Sequence, residues 1–163
     1  MGKTGNEAEW ARLRSLPYGG EPVYLGIDPG ARGAIAWWIP AIAEAGCFNM
    51  PKTEDDLAEL LRSFKECYQC HAAVEQIDNA QRGGVPLPFA FRFGLNVGTL
   101  YGVLAAMKIR RRKIRPQAWQ KLAGCGRDTT RGRAQELFPE AKVTRDNAAA
   151  HVLAWVAQQV WRT

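Results

Sequence analysis

The chain has 163 residues, of which 47% are hydrophobic and 23% are charged, a length and balance that suit a single domain with a buried core. No apolar run approaches the ~18–20 residues that a membrane span needs, so we expect no membrane partner. The mixed-charge N-terminus lacks the apolar segment of a secretory signal, which favours a cytoplasmic location. The net charge of +6 indicates a polyanionic partner.

Apolar periodicity and turn residues predict a strand hairpin followed by helices and strands in alternation. The predicted elements are a helix at 7–16, strands at 23–27, 33–38 and 46–50, a helix at 53–66, a strand at 71–75, a helix at 93–107, a strand at 108–115, and helices at 116–121, 130–138 and 146–161. We treat residues 1–20 as an N-terminal extension and residues 21–163 as the main domain. This order predicts the α/β class, with a mixed sheet flanked by helices.

Three glycines recur every four residues in the long apolar segment at 93–107: Gly94, Gly98 and Gly102. On a helix they share one face. Each glycine weakens a helix by up to about 1 kcal/mol relative to alanine, so a structural reason is needed to keep them there. We expect this face to pack closely against a neighbour.

A short basic segment follows the glycine-rich helix. Its cations are Lys108, Arg110, Arg111, Arg112, Lys113 and Arg115, and Arg131 lies further along the chain. Two explanations are open. The segment is either a solvated edge strand whose charge discourages pairing between sheets, or a surface that contacts nucleic-acid phosphates.

The four cysteines are Cys47, Cys67, Cys70 and Cys125. Cys67, Cys70 and the following histidine have the spacing of a c-type haem attachment site, but that chemistry requires export. A zinc site would need a second Cys/His pair at suitable spacing. We therefore expect structural cysteines next to a buried strand.

Two carboxylates stand at the ends of predicted strands. Asp28 ends the first strand at a Pro-Gly turn, and Glu75 ends the strand that would lie beside it. Magnesium prefers such hard oxygen ligands. Each residue alone could be a turn acid. Together, they predict a metal site at one edge of the sheet. Asp146, near the start of the last helix, is either a third ligand or an N-cap.

Several segments resemble, in order, the RuvC family of Holliday-junction resolvases, including its phage-type and chloroplast members. They are VYLGIDPGARGAIAWW, AAVEQ, FGLNVGTLYGVLAAM, IRPQAWQK, RAQELFPE and DNAAAHVLAW, and they span roughly residues 22–161. Each segment alone is a weak match, whereas the ordered set is specific. The resemblance implies an RNase H-like fold with a mixed five-stranded sheet, and a cytoplasmic protein of a bacterial or phage-infected cell, or of a eukaryotic organelle.

The resemblance also implies the chemistry of the site. Asp28, Glu75 and Asp146 would bind two Mg²⁺ (or Mn²⁺) ions for hydrolysis of a DNA phosphodiester. Lys121 would lie near the phosphate, with an ordinary surface lysine as its alternative. His151 would reach the same site, or else serve a structural role in its helix.

One position departs from the family. Members carry a further carboxylate in the last helix just before a small apolar run, and alignment on that run places Ala150 there. Two explanations are open: an inactivating change from Asp or Glu to Ala, or a site in which Asp146, one helical turn earlier, supplies the ligand alone. In either case, cleavage depends on this helix.

DNA contacts are expected to read phosphates and shape, because a four-way junction is an architecture rather than a sequence. Arg82 and the basic segment are the phosphate candidates. Phe89 and Phe91 would stack at the opened junction centre, as apolar wedges do in other DNA-distorting proteins, with ordinary helix packing as the alternative. Two symmetric cuts require two sites, which predicts a homodimer, with the glycine-rich helix as one candidate interface.

Two other functions compete with a junction resolvase. Another nuclease with an RNase H-like fold would share Asp28 and Glu75 but cut RNA–DNA hybrids or single strands. A non-catalytic junction-binding protein would keep the fold and lack the last carboxylate. A panel of substrates separates the first alternative, and binding without cleavage supports the second.

Overall fold

The architecture comes from a computed structural model, which describes residues 5–17, 20–77 and 86–162. Its strands are β1 (Pro22–Asp28), β2 (Ala34–Ile39), β3 (Glu44–Asn49), β4 (Gln69–Glu75) and β5 (Arg110–Ile114). Its α-helices are α1 (Gly5–Ser15), α2 (Glu54–Cys67), α3 (Leu87–Ala106), α4 (Pro116–Ala123), α5 (Thr130–Leu137) and α6 (Ala148–Trp161), with a 3₁₀ turn at Pro40–Ile42.

The five strands form one mixed sheet in the order β3-β2-β1-β4-β5. The hairpin strands β1 and β2 pair antiparallel, with Gly26 opposite Ala36, and β3 continues the antiparallel half. The central strands β1 and β4 are parallel, with Ile27 opposite Val74, and β5 is parallel to β4. The predicted mixed five-stranded sheet is confirmed.

Helices cover both faces of the sheet. On one face, α1, α2 and α3 bury a core built around Leu25, Phe48, Phe64 and Leu104. On the other face, α6 lies across the central strands, and α4 and α5 pack beside it around Trp119 and other apolar side chains. The three layers leave the ends of β1 and β4 open at one edge of the sheet, and this edge carries the candidate site.

The helix in the N-terminal extension, α1, lies along the edge strand β3. The Asn6 side chain accepts a hydrogen bond from the Asn49 backbone N–H and donates one to the Asn49 carbonyl, as a neighbouring strand would. The buried Leu13 and the ring of Trp10 join the core next to Phe48. Residues 5–15 therefore cover an otherwise open sheet edge.

The glycine-rich helix α3 differs from expectation in two respects. It begins at Leu87, six residues before the predicted start, and with 20 residues it is long and apolar enough, by length and composition only, to cross a membrane. The expectation that no apolar stretch reaches that length is therefore wrong. The few polar residues within α3 do not lower its mean hydropathy below that of a membrane-spanning helix. The close packing expected at Gly94, Gly98 and Gly102 is also absent among the described residues, where a Cβ on any of them would meet nothing within 4 Å.

Candidate active site

Parallel pairing of β1 with β4 brings the two predicted ligands together. The last paired residues are Ile27 and Val74, and Asp28 and Glu75 follow them directly at the same edge of the sheet. The two side chains are close enough that the negative charge of Asp28 raises the pKa of Glu75. The sequence prediction that these two strand ends meet is confirmed by the register.

The turn after β1 fixes the Asp28 side chain. The Gly30 backbone N–H donates to Asp28 Oδ1 at 3.1 Å, and the Gly33 N–H donates to the Gly30 carbonyl at 2.8 Å. A Cβ on Gly33 would overlap the Asp28 carbonyl oxygen, so only glycine allows this tight return of the chain into β2. Within the described part of the chain, no hydrogen bond is found to the second carboxylate oxygen of Asp28, and the side chain lines an open pocket.

Glu75 is held by a tryptophan that the sequence prediction did not include among the site residues. The Trp119 indole Nε1–H donates to Glu75 Oε1 at 3.2 Å, and Trp119 is itself 2% exposed. Next to Glu75, the Gln76 N–H donates to the Ile114 carbonyl at 2.9 Å, which ties the end of β4 to the end of β5. A tryptophan three residues after the proline that begins a helix carries no ligand signal in a sequence, which explains the omission.

The pKa values of both carboxyls are raised, chiefly by burial. For Asp28, burial raises the pKa, the Gly30 hydrogen bond opposes the rise, and the charge of Asp146 adds to it. For Glu75, burial raises the pKa, the charge of Asp28 adds to it, and the Trp119 hydrogen bond opposes it. Two partly buried acids that resist ionisation side by side provide a place where a cation is favoured.

Asp146 approaches this pair without completing a three-carboxylate group. It precedes α6, is exposed, and influences Asp28 through its charge. Among the described residues, no three His, Cys, Asp or Glu side chains lie close enough together to hold a metal ion as a group. The N-cap residue of α6 is Asn147, so the alternative that Asp146 caps this helix is wrong: the helix begins two residues later than predicted.

Asp28 and Glu75 open into a pocket of about 930 Å³. Its polar and charged lining consists of Asp28, Glu75, Gln117, Gln120, Arg127, Asp128, Thr130, Arg131 and Arg145, and its remaining walls are Ile77, Pro116, Trp119, Ala148 and Ala149. The acidic pair therefore lies in a cleft whose rim carries three arginines. Of these, Arg131 was predicted as a DNA contact, whereas Arg127 and Arg145 were not assigned to the site because they stand in loops whose position depends on the tertiary fold.

Lys121 is exposed on α4 and is not among the residues that line this pocket. The same helix presents Gln117 and Gln120 to the pocket instead. The arginines of the rim supply the positive charge that the resemblance assigned to Lys121. The structure therefore does not bring Lys121 into the site.

The first turns of α6 place the two remaining site candidates elsewhere. Ala150 is fully buried against Ala34 and Ala36 on the face of the sheet, and the residue of this helix that lines the pocket beside Ala148 is Ala149. His151 is 1% exposed, and its Nδ1 lies 2.9 Å from the Asn147 carbonyl oxygen. Burial lowers the pKa of His151, and the residue lines a different pocket beside β3.

The predicted DNA contacts fall on two surfaces. The cations of β5 lie along the sheet edge, where Arg112 stacks over the Trp161 ring and Lys113 over the Tyr101 ring. At the start of α3, Phe89 is 64% exposed and Phe91 is 70% exposed, so packing against the described residues does not explain them. Lys108, Arg110 and Arg115 are exposed and Arg111 is half-buried, whereas Arg82 lies outside the described residues.

The cysteines are all free. Cys70 is buried on β4 and Cys67 is exposed at the end of α2. Burial raises the pKa of the Cys70 thiol to about 12, which leaves it a neutral, apolar side chain at neutral pH. This placement agrees with a structural role beside a buried strand.

The fold and the strand-end carboxylates define an RNase H-like α/β domain, and solved structures of that class match this chain. The RuvC structure from Thermus thermophilus superposes with a TM-score of 0.59 at 14% identity, covering 86% of this chain and 97% of that one. The T. thermophilus RuvC in complex with a Holliday junction substrate gives a TM-score of 0.61 at 14% identity, covering 87% and 96%. No family model and no curated protein matches the sequence. The chain therefore shares the fold of RuvC, as the sequence motifs predicted.

Proposed function

We propose that the protein is a metal-dependent endonuclease that acts on four-way DNA junctions. The observation that carries the proposal is the meeting of Asp28 and Glu75 at one sheet edge, in a pocket rimmed by Arg127, Arg131 and Arg145. Carboxylates that can bind a metal ion, surrounded by arginines, suit a substrate whose phosphate group binds to that metal ion. The net charge of +6 and the fold shared with RuvC support the same substrate class.

The donor chemistry of the site fits a hard divalent cation. Magnesium is commonly bound through one or two carboxylates, with water and substrate phosphate completing its shell, and Asp28 and Glu75 are two such groups. We propose Mg²⁺ or Mn²⁺ as the cofactor, with Asp146 as the candidate that would approach a second ion. When bound, such a cation supplies an activated water and stabilises charge on the phosphate.

The other side chains of the pocket act on the DNA backbone. Arg127, Arg131 and Arg145 would neutralise and orient phosphates on either side of the cleaved bond, since guanidinium groups bind phosphate oxygens in a bidentate manner. The Gly30 N–H and the Trp119 indole hold the two carboxylates in place without neutralising their charge. This arrangement allows the acids to keep their affinity for a cation while the arginines hold the substrate.

Two symmetric cuts require two sites, and we propose that the second site comes from a second copy of the chain. The glycine face of α3 meets none of the residues that the structure describes, and it is flanked by exposed side chains such as Leu95. Two such helices could approach closely about a twofold axis, which would place Phe89 and Phe91 of each copy next to the interface. Sedimentation of the wild type and of Gly98→Leu tests this: a wild-type dimer that the variant converts to monomer supports it, and a monomeric wild type contradicts it.

Cleavage of a substrate panel tests the activity. The wild type, Asp28→Asn and the exposed-site control Glu59→Gln are incubated with a labelled four-way junction, its linear duplex and an RNA–DNA hybrid, with and without Mg²⁺. We expect metal-dependent cuts in the junction by the wild type and the control, and at least a 100-fold loss in Asp28→Asn. Preferential cleavage of the hybrid would instead assign the protein to the other class of nuclease.

A non-catalytic junction-binding protein is the second candidate. The observation in its favour is that α6 brings no carboxylate to the pocket, where Ala148 and Ala149 form part of the wall beside Asp28, Glu75 and Asp128. Junction binding in a gel-shift assay without cleavage in Mg²⁺ or Mn²⁺ would support it. If Ala149→Asp gained cleavage, a missing carboxylate rather than a different function would explain the inactivity of the wild type.

A further inference from the structure

We propose that Trp119 is a positioning residue that orients the Glu75 carboxylate for a divalent cation. The inference rests on the proposed function, because it assigns Glu75 as a ligand. The indole Nε1–H donates to Glu75 Oε1 at 3.2 Å, which leaves the second carboxylate oxygen available for a ligand. A glutamate has three side-chain torsions, so a fixed donor removes much of the conformational freedom that metal binding would otherwise have to remove.

The donor is fixed by the backbone as well as by packing. The Trp119 N–H donates to the Arg115 carbonyl at 3.1 Å, within a helix that starts at Pro116 directly after β5. The neighbouring hydrogen bond from Gln76 to Ile114 sets the distance between the end of β4 and that helix start. The indole is 2% exposed and packs in the core between α4, α6 and β4. The donor and its acceptor therefore cannot move apart without disturbing the sheet.

The chemistry of the donor suits this task. An indole N–H donates one hydrogen bond and carries no charge. It can hold one oxygen of Glu75 without forming an ion pair, whereas Lys or Arg at the same place would compete with the cation for the carboxylate. Groups that orient a metal ligand from behind in this way commonly change metal affinity by 10–100-fold when they are removed.

Trp119 also fills space in the core, so a test must remove the N–H and keep the ring. Replacement of Trp119 with 3-benzothienylalanine, introduced at that codon, substitutes sulfur for the N–H at nearly constant shape. Trp119→Phe is the genetically simpler variant, and Trp38→Phe is its matched control, since Trp38 donates its indole N–H to Gln158 away from the pocket. Thermal unfolding of each variant reports any loss of packing separately.

The main readout is Mn²⁺ affinity of the DNA-free protein, measured by calorimetry. We expect about tenfold weaker binding in the benzothienyl variant and in Trp119→Phe, and wild-type affinity in Trp38→Phe. Wild-type affinity in a benzothienyl variant that unfolds at the wild-type temperature would overturn the inference. Equal loss in Trp38→Phe would also overturn it, because a general packing defect would then explain the effect.

A second readout separates this inference from the proposed function. In an ¹H–¹⁵N spectrum, Trp119→Phe identifies the Trp119 indole resonance, which should move upfield in Glu75→Gln as the acceptor loses its charge. An unmoved resonance means that the hydrogen bond is absent and overturns the inference. If the resonance moves but neither the wild type nor Glu75→Gln binds Mn²⁺, the hydrogen bond exists but the metal site does not. The positioning role towards a cation is then overturned together with the metal site.

Discussion

The helices α6 and α3 are both apolar and rich in small residues, yet they use those residues in opposite ways. α6 crosses the centre of the sheet, where a Cβ on Gly26 of β1 would overlap the α6 backbone at Ala150 and Ala154. Nine of the 14 residues of α6 are buried. In α3, only Leu100 and Leu104 are buried, and its glycines face open space.

This difference shows that small residues in a helix permit a close approach by another element but do not identify that element. In α6, the partner is the sheet of the same chain, and the contact positions the start of the helix beside Asp28 and Glu75. In α3, the described part of the chain provides no partner for the glycine face, so no contact there offsets the poor helix propensity of glycine. The following variants test the two cases.

Gly26→Ala should have the largest effect, because the new methyl group meets helix backbone, which cannot rotate away as a side chain can. We expect a loss of about 4 kcal/mol or more in the free energy of unfolding, or failure to fold, as for the most severe overpacking changes. Urea denaturation followed by tryptophan fluorescence measures it. A loss below about 1 kcal/mol would show that α6 does not approach β1 as closely as described.

Aspartate substitutions at adjacent positions of α6 come next in size. Ala150→Asp buries an unpaired carboxylate between the helix and the sheet and should cost about 3 kcal/mol. Ala149→Asp places the carboxylate in the open pocket and should cost less than about 1 kcal/mol. Denaturation of both variants in parallel gives the difference, and equal losses would contradict the placement of Ala149 at the pocket.

Asp28→Asn should stabilise the metal-free protein at neutral pH. The pKa of Asp28 is raised on folding, so the folded protein binds this proton more tightly than the unfolded chain, and the ionised carboxylate destabilises the fold. The penalty is present above the folded-state pKa and disappears as the pH falls below the unfolded value. We expect a gain of about 1 kcal/mol, typical of single stabilising changes.

Thermal unfolding in a chelator across pH 4 to 8 checks the sign of this effect. The advantage of Asp28→Asn over the wild type should shrink towards acid pH. An advantage that grows in acid would mean that the pKa of Asp28 is lowered on folding. Glu59→Gln, at an exposed position of α2, serves as the control and should change little.

Gly98→Ala should have the smallest effect, of opposite sign to Gly26→Ala. No atom of the described residues lies within 4 Å of the added Cβ, and alanine is the better helix former, so we expect roughly 0.5–1 kcal/mol of added stability in the monomer. Denaturation at low protein concentration, where a dimer would dissociate, measures this gain. A destabilised monomer would show that the glycine face does pack within the chain.

Much of the fold could be predicted from local patterns. Apolar runs bounded by turns gave the five strands, and Thr53 begins α2 as its N-cap, accepting a hydrogen bond from the Asp56 N–H at 3.1 Å. Helix starts that lack a clear signal were predicted wrongly: α3 begins at Leu87 and α6 at Ala148, against predicted starts at 93 and 146. The pair formed by Asp28 and Glu75 was predictable because residues that end neighbouring parallel strands must share one edge of the sheet.

The rest of the site depended on distances that no spacing in the chain encodes. Lys121 and Trp119 stand two residues apart on α4, and the rotation of that helix places the tryptophan on Glu75 and the lysine away from the pocket. Ala149 and Ala150 are separated by about 100° around the helix. This rotation places Ala149 in the pocket and Ala150 in the core. These assignments depend on how each helix is rotated against the sheet.

The sequence by itself thus determined the class of fold, the order of its elements and the two acids at the strand ends, because strand periodicity and turn chemistry are local properties. Only the tertiary structure decided which side chains surround those acids: the arginines of the rim, the indole behind Glu75 and the two alanines of α6 that line the pocket. The physical reason is that helix rotation and packing depth follow from contacts between distant segments, such as Gly26 against α6.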